Sequence, residues 1–203
     1  MGKLFTVGYS GLEMQGFVAL LRANHVNVVC DVRSMPYSKY KPDFSRAPFK
    51  AGLNAAGIKY TFLGDQLGAR PKDRACYVNG QATYERISKS DFFKSGLDRI
   101  RTGSAMMNLA IVCSESDPIE CHRAILVCRN LDDIRDRIAH IHGNGQIEDQ
   151  RAFDARLVEM HGLTPPPLLQ EPGDWERAVG AAYKKQGDGI AFQERYPAGS
   201  KDE

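Results

Sequence analysis

The densest gathering of reactive side chains is the segment Cys113-Ser114-Glu115-Ser116-Asp117-Pro118-Ile119-Glu120-Cys121-His122-Arg123. It holds thiols, carboxylates, an imidazole and a guanidinium. A thiolate can act as nucleophile or metal ligand, Glu115 or His122 can move a proton, and an arginine can fork onto a carboxylate or phosphate. The segment follows the apolar run Leu109-Ala110-Ile111-Val112 and precedes a helical pattern, so it reads as a strand-to-helix turn. Open α/β sheets bind their ligands at the carboxyl ends of strands, which makes this turn the expected place for a site.

Asp117 is a good N-cap, Pro118 suits the first helical position, and Glu120 completes a capping box, so a helix is expected over Pro118–Leu131. That start puts Cys121, His122 and Arg123 in the first two turns, where backbone amides attract anions and favour thiolates. The competing reading is core packing. Cys121, Ile125 and Cys128 fall on one helical stripe, and cysteine is often fully buried. Cys128 and Cys30 read as core. Cys113 and Glu115 stand two apart at the strand end, on one face if the strand geometry persists. A carboxylate raises a neighbouring thiol's pKa, so Glu115 fits better as a general base, a metal ligand or a partner for Arg33 or Arg123.

Other strand ends supply further candidates. Tyr9-Ser10 closes the first strand and Asp31-Val32-Arg33 the second, so in a parallel sheet both share a rim with Cys113 and Glu115. An internal Asp31–Arg pair holding the rim together is the alternative. Tyr37, Lys39, Tyr40 and Lys41 interleave aromatic and basic character, a pattern that can stack a base and meet phosphate, though a plain surface loop explains it too. His140-Ile141-His142 could join Cys113, Cys121 or His122 in a zinc site. The chain has no C-x-x-C, no H-E-x-x-H, no P-loop and no G-x-G-x-x-G after a strand, so neither an ATP site nor a dinucleotide site is indicated.

The elements that must position these groups can be read from hydrophobic periodicity. Strands are expected over Leu4–Val7, Val26–Val32, Ile58–Leu63, Met106–Cys113 and Arg137–His142. Helices are expected over Glu13–Asn24, Ala47–Ala56, Tyr84–Arg101 and Pro118–Leu131, with another around Phe153–Met160. Residues 64–80 read as a long surface excursion, and Pro165-Pro166-Pro167 as a boundary before a lone helical candidate, Trp175–Lys185. The prediction is an α/β fold: one three-layer domain over residues 1–163 with a mostly parallel sheet, and a proline-led tail over 164–203.

With 27 basic and 25 acidic residues in 203, the formal charge of +2 points to no polyanionic partner by itself. The odd count of five cysteines, two of them in apolar runs, points to reduced thiols in a cytoplasmic protein. No apolar stretch has membrane-spanning length.

Taken together, Thr6-Val7-Gly8-Tyr9-Ser10, Phe17 with Leu20-Leu21, Asp31-Val32-Arg33-Ser34-Met35-Pro36-Tyr37-Ser38, Gly57-Ile58-Lys59-Tyr60, Leu67-Gly68, Cys113-Ser114-Glu115 and Cys121-His122-Arg123 resemble the family catalogued as domain of unknown function 488. The first motif often carries histidine where Tyr9 stands here, and many members have a second glycine where this chain has Ala69. The resemblance implies no reaction.

The expected function is hydrolysis or group transfer on an anionic or nucleotide-like substrate. Glu115, Cys121, His122 and Cys113 are the catalytic candidates, and Tyr9, Ser10, Asp31, Arg33 and Arg123 the substrate-binding ones. No cofactor is expected. The alternatives are a non-catalytic module for nucleic acid or nucleotides, and a Cys/His protein binding zinc or another divalent metal. No membrane partner is expected.

Overall fold

Short valine-, leucine- and isoleucine-rich runs become parallel strands because helices cover both of their faces. In the computed structural model, which describes residues 2–166 and 171–194, strand β1 is Leu4–Gly8, β2 Val28–Asp31 and β3 Lys59–Phe62. A two-stranded hairpin, β4 Tyr77–Val78 and β5 Gln81–Ala82, precedes β6 Leu109–Cys113, β7 Ile138–Ile141 and β8 Ile147–Asp149. The main sheet runs β3-β2-β6-β1-β7-β8, parallel except for the β7–β8 pair. Residues 167–170, which include Pro167, and residues 195–203, all part of the expected tail, lie outside the described residues.

Side chains alternate across each strand and so build two cores. From β6, Leu109, Ile111 and Cys113 enter one core, while Ala110 and Val112 enter the other. The second core holds Phe17 of helix α1 (Met14–Ala23) and Phe49 of α2 (Arg46–Ala55). The first is covered by α3 (Gly64–Leu67), α4 (Tyr84–Lys89) and α5 (Asp91–Met106). The result is a three-layer α/β arrangement, as the sequence predicts.

Three expectations need correction. The single helix over Tyr84–Arg101 is two helices, because Ser90 takes extended angles (φ −72°, ψ 148°) and stands at the N-cap of α5. The excursion over 64–80 is not wholly superficial: Leu67 and Cys76 are core residues. The helix over Pro118–Leu131 is broken. Asp117 does accept from the Ile119 amide, but the 3-10 turn Pro118–Glu120 stops at Cys121, which is extended (φ −135°, ψ 135°). Winding then restarts as a π-helix over Arg123–Val127, with the Cys121 carbonyl accepting from the amides of both Ala124 and Ile125.

Helix α6 (Gln150–Met160) and helix α7 (Asp174–Ile190), which contains the candidate at Trp175–Lys185, form a third core with the π-helix. Phe153, Leu157, Val179 and Ala182 fill it. Tyr183 Oη donates to Asp154 Oδ1 (2.8 Å) and accepts from Gln150 Nε2 (2.9 Å). No helix among the described residues is long and apolar enough to cross a membrane.

Candidate functional site

Strand register sets the site. Gly8 of β1 lies opposite Cys113 of β6, and Asp31 of β2 lies opposite Val112, so Tyr9, Asp31–Arg33 and Cys113–Glu115 emerge side by side at the carboxyl end of the sheet. The turn after β6 folds back over β1 so closely that a Cβ on Gly8 would sit 1.7 Å from the Glu115 carbonyl oxygen. Glycine is required there by proximity.

Asp31 and Arg33 form an internal pair, the alternative to a substrate-binding role for them. Arg33 donates from Nε to Asp31 Oδ1 (2.8 Å) and from Nη2 to Oδ2 (2.7 Å), a bidentate fork. Its Nη1 donates to Tyr9 Oη (3.1 Å) and to the Phe44 carbonyl (2.7 Å). Tyr60 Oη adds a bond to Asp31 Oδ2 (2.8 Å). Asp31 is 0% and Arg33 5% exposed, so most of the guanidinium is committed to the protein. Tyr9 stacks on Phe44 with centroids 4.3 Å apart, which fixes its ring at the rim.

Arg123 also faces inward. Fully buried, it donates from Nη1 to the Glu115 carbonyl (2.6 Å) and from Nη2 to the Ser116 carbonyl (3.0 Å). It holds the turn from beneath and does not line the cleft above. Ser10 is exposed, and its amide bonds to the Ser114 carbonyl (2.8 Å).

The four catalytic candidates converge. Cys121 Sγ lies 3.0 Å from Glu115 Oε2, and Ser114 Oγ donates to Glu115 Oε1 (2.8 Å). His122 Nδ1 is 3.6 Å from Cys113 Sγ and 3.9 Å from Cys121 Sγ. His122 Nε2 lies 3.1 Å from the Val32 carbonyl, which can only accept, so Nε2 carries hydrogen and Nδ1 faces the thiols. The extended backbone at Cys121 makes this possible: it lets Cys121 and His122 turn toward the sheet rim while Arg123 turns into the core.

His140 and His142 stand apart from this cluster. His140 Nδ1 bonds to Thr6 Oγ1 (2.8 Å) deep in the sheet, and burial, then the Arg123 charge, lowers its pKa to about 3. His142 Nε2 meets Glu148 Oε2 (3.0 Å) at the sheet edge.

Burial opposes ionisation throughout the cluster, and local bonds answer it unevenly. Glu115 is held down at about 2, since hydrogen bonds from Cys113, Cys121, its backbone and Ser114 outweigh burial. Burial raises Cys121, while its bond with Cys113, the Arg123 charge and His122 pull it down. Cys113 is pushed well up by its bond to Cys121, by burial and by the neighbouring negative groups. Burial works to lower His122, but its bond to Cys121 and the nearby negative charge raise it. Two unit charges at the 3.0 Å Cys121–Glu115 contact would repel by about 5 kcal/mol at an effective dielectric near 20. A proton therefore lies between them. In this geometry the thiol donates to an ionised Glu115, and Cys121 ionises only when the contact opens or a cation enters. Cys30 and Cys128 are each pushed up to about 12 by burial, in keeping with a place in the core.

The cluster forms one wall of a cleft of about 430 Å³, within the range of small-molecule sites. Tyr9, Arg33, Cys113, Glu115 and His122 line it, with groups that sequence reasoning does not single out: Arg70, Tyr84, Ile190 and Phe192. Arg70 is exposed, stacks its guanidinium over Phe192 (4.4 Å) and makes no ion pair among the described residues. Its backbone amide bonds to Ser34 Oγ (3.0 Å), which ties it to the rim. The one signal for it in the sequence is its place two residues after the Leu67-Gly68 motif. Met35 and Tyr37 stand exposed at the mouth.

The pattern of the family described as Domain of unknown function DUF488 matches residues 13–129. The chain belongs to this family. The match takes in Asp31, Arg33 and the whole turn from Cys113 to Arg123, while Tyr9 and Ser10 lie just ahead of it. No curated protein matches the chain. A solved structure from Shewanella putrefaciens CN-32, described as "Putative phosphatase (DUF442)", has 15% identity and a TM-score of 0.35 over 92% of this chain and 90% of its own. A likeness that slight carries no argument.

Proposed function

We propose that the cleft is the active site of an enzyme that hydrolyses, or transfers a group from, a small anionic substrate of nucleotide size. One observation carries this reading: an ionised carboxylate, Glu115, and an arginine with no acidic partner among the described residues, Arg70, face the same cleft at the carboxyl ends of parallel strands. Arg70 holds the anion. Tyr37, 73% exposed at the mouth, offers a ring face for a base or sugar. Glu115 takes a proton from a water or substrate hydroxyl as it attacks, and Ser114 keeps the carboxylate oriented. None of the five cysteines is disulfide-bonded to another, which fits a cytoplasmic setting.

The test pairs binding with turnover. Inorganic phosphate and nucleoside 5′-monophosphates are titrated against wild type and Arg70→Ala by calorimetry, and chromogenic phosphate and acyl esters are assayed with wild type and Glu115→Gln. The expected result is binding that Arg70→Ala abolishes, and turnover that Glu115→Gln lowers by about 10²–10⁴-fold. Binding with no turnover of any ester would favour the non-catalytic nucleotide-binding alternative. Neither binding nor turnover would overturn the reading.

A further inference from the structure

Two buried thiols and an imidazole converge where a single thiol–imidazole pair would suffice for a nucleophile, and the second thiol has no task in that chemistry. We infer that Cys113 Sγ, Cys121 Sγ and His122 Nδ1 are the protein ligands of a divalent transition-metal ion, zinc by donor type, with the remaining position facing the cleft. This assignment stands whether or not the hydrolase reading holds.

The geometry matches. The three donor atoms all lie within 4.8 Å of one another, and all three residues are buried. A tetrahedral zinc with Zn–S near 2.3 Å and Zn–N near 2.05 Å needs a sulfur–nitrogen edge of about 3.6 Å. The two sulfur–nitrogen edges here are 3.6 and 3.9 Å, within a few tenths of an ångström of that length, and the sulfur–sulfur edge, no more than 4.8 Å against the about 3.8 Å of a tetrahedral site, closes with a shift of at most about 1 Å. A histidine that binds metal through one nitrogen commonly donates its other N–H to a carbonyl, which fixes ring and tautomer. His122 does so to Val32 at 3.1 Å.

The donor set also narrows the metal. Two soft thiolates and an imidazole suit zinc and disfavour magnesium and calcium, which take oxygen ligands. On binding, both thiols release their protons to solvent, and two thiolates neutralise the dication. No electron changes hands. Three protein ligands with a position open to solvent is the pattern of catalytic rather than structural zinc. Here the open side is the cleft wall that Cys113, His122 and Glu115 share. The ligands come from the end of β6 and from the two residues where winding restarts, so the ion would pin both ends of the turn.

The experiment uses the full chain purified without a histidine tag or chelator. It is dialysed against zinc, or against cobalt as a spectroscopic probe, and the metal is counted by mass spectrometry. Wild type and Cys128→Ser, a buried thiol outside the cluster, should hold about one ion per chain. Cobalt should give a thiolate charge-transfer band, and Cys113→Ser and Cys121→Ser should lose stoichiometric binding. In the unmutated chain, zinc should protect Cys113 and Cys121 from alkylation, as read by peptide mapping, so the assignment can be judged even if a variant does not fold. Absence of stoichiometric metal after loading, unchanged binding in both serine variants, or equal alkylation of these thiols with and without zinc would each overturn it. Failure of the ester assays would leave this result untouched, and loss of metal would not by itself remove anion binding at Arg70.

Discussion

His140 offers a clean measurement of what burial does in the middle of this sheet. It pairs with Thr6 across the β1–β7 ladder, bonds to that hydroxyl at 2.8 Å, and packs on Phe153 with ring centroids 4.6 Å apart. Burial, then the Arg123 charge, lowers its pKa from the ordinary 6.5 to about 3. The sign depends on which state takes up the proton. An unfolded imidazole charges as the pH falls through 6.5, while the folded one stays neutral until about 3, so the stability it supports is present above pH 6.5 and drains away below it. Between pH 7.5 and 5.0 the loss amounts to about 2 kcal/mol. Urea unfolding of wild type and His140→Gln at half-unit steps across that range isolates the effect, because the other titrating groups are common to both chains. The substitution will shift stability by some constant amount, and only the difference in pH slope matters. Wild type should lose about 2 kcal/mol more than the variant. Parallel slopes would refute the claim that this imidazole is neutral by burial.

Three further outcomes are expected. Asp31→Ala should cost about 3–5 kcal/mol by leaving the Arg33 guanidinium buried without its partner, whereas Asp31→Leu with Arg33→Met should be far milder; denaturant midpoints of the single and double variants decide it. Gly8→Ala should force the turn off β1, lowering the thermal midpoint and weakening anion binding together, and a variant unchanged in both would contradict the close approach of the Glu115 carbonyl. Tyr183→Phe should cost about 1–3 kcal/mol by depriving Asp154 and Gln150 of their shared hydroxyl, measured by chemical denaturation.

The sequence makes the sheet and its rim legible because buried parallel strands are written as continuous apolar runs, and Val28–Asp31 and Leu109–Cys113 are such runs. The same logic places Asp31, Arg33 and Cys113 on one edge. The inward course of Arg123 is not legible, since an arginine in a first helical turn has the same neighbours in sequence whether it meets solvent or two carbonyls. The break at Cys121 is hidden for a related reason: an apolar stripe at helical spacing fits α-winding and π-winding alike. Arg70 and Phe192 reach the cleft from distant parts of the chain, a separation that periodicity does not encode.

The π-helix over Arg123–Val127 makes chain length itself a determinant of the site. A π segment amounts to a regular helix that has taken in one extra residue. Deleting a single residue there would relax the winding to α and improve local helix geometry. It would also rotate the preceding residues by about 100° relative to the succeeding ones. The sheet-facing pair Cys121-His122 and the core-facing Arg123 could then no longer both keep their partners. Beyond Arg123, this stretch should therefore accept many side-chain exchanges of similar size while tolerating neither loss nor gain of a residue.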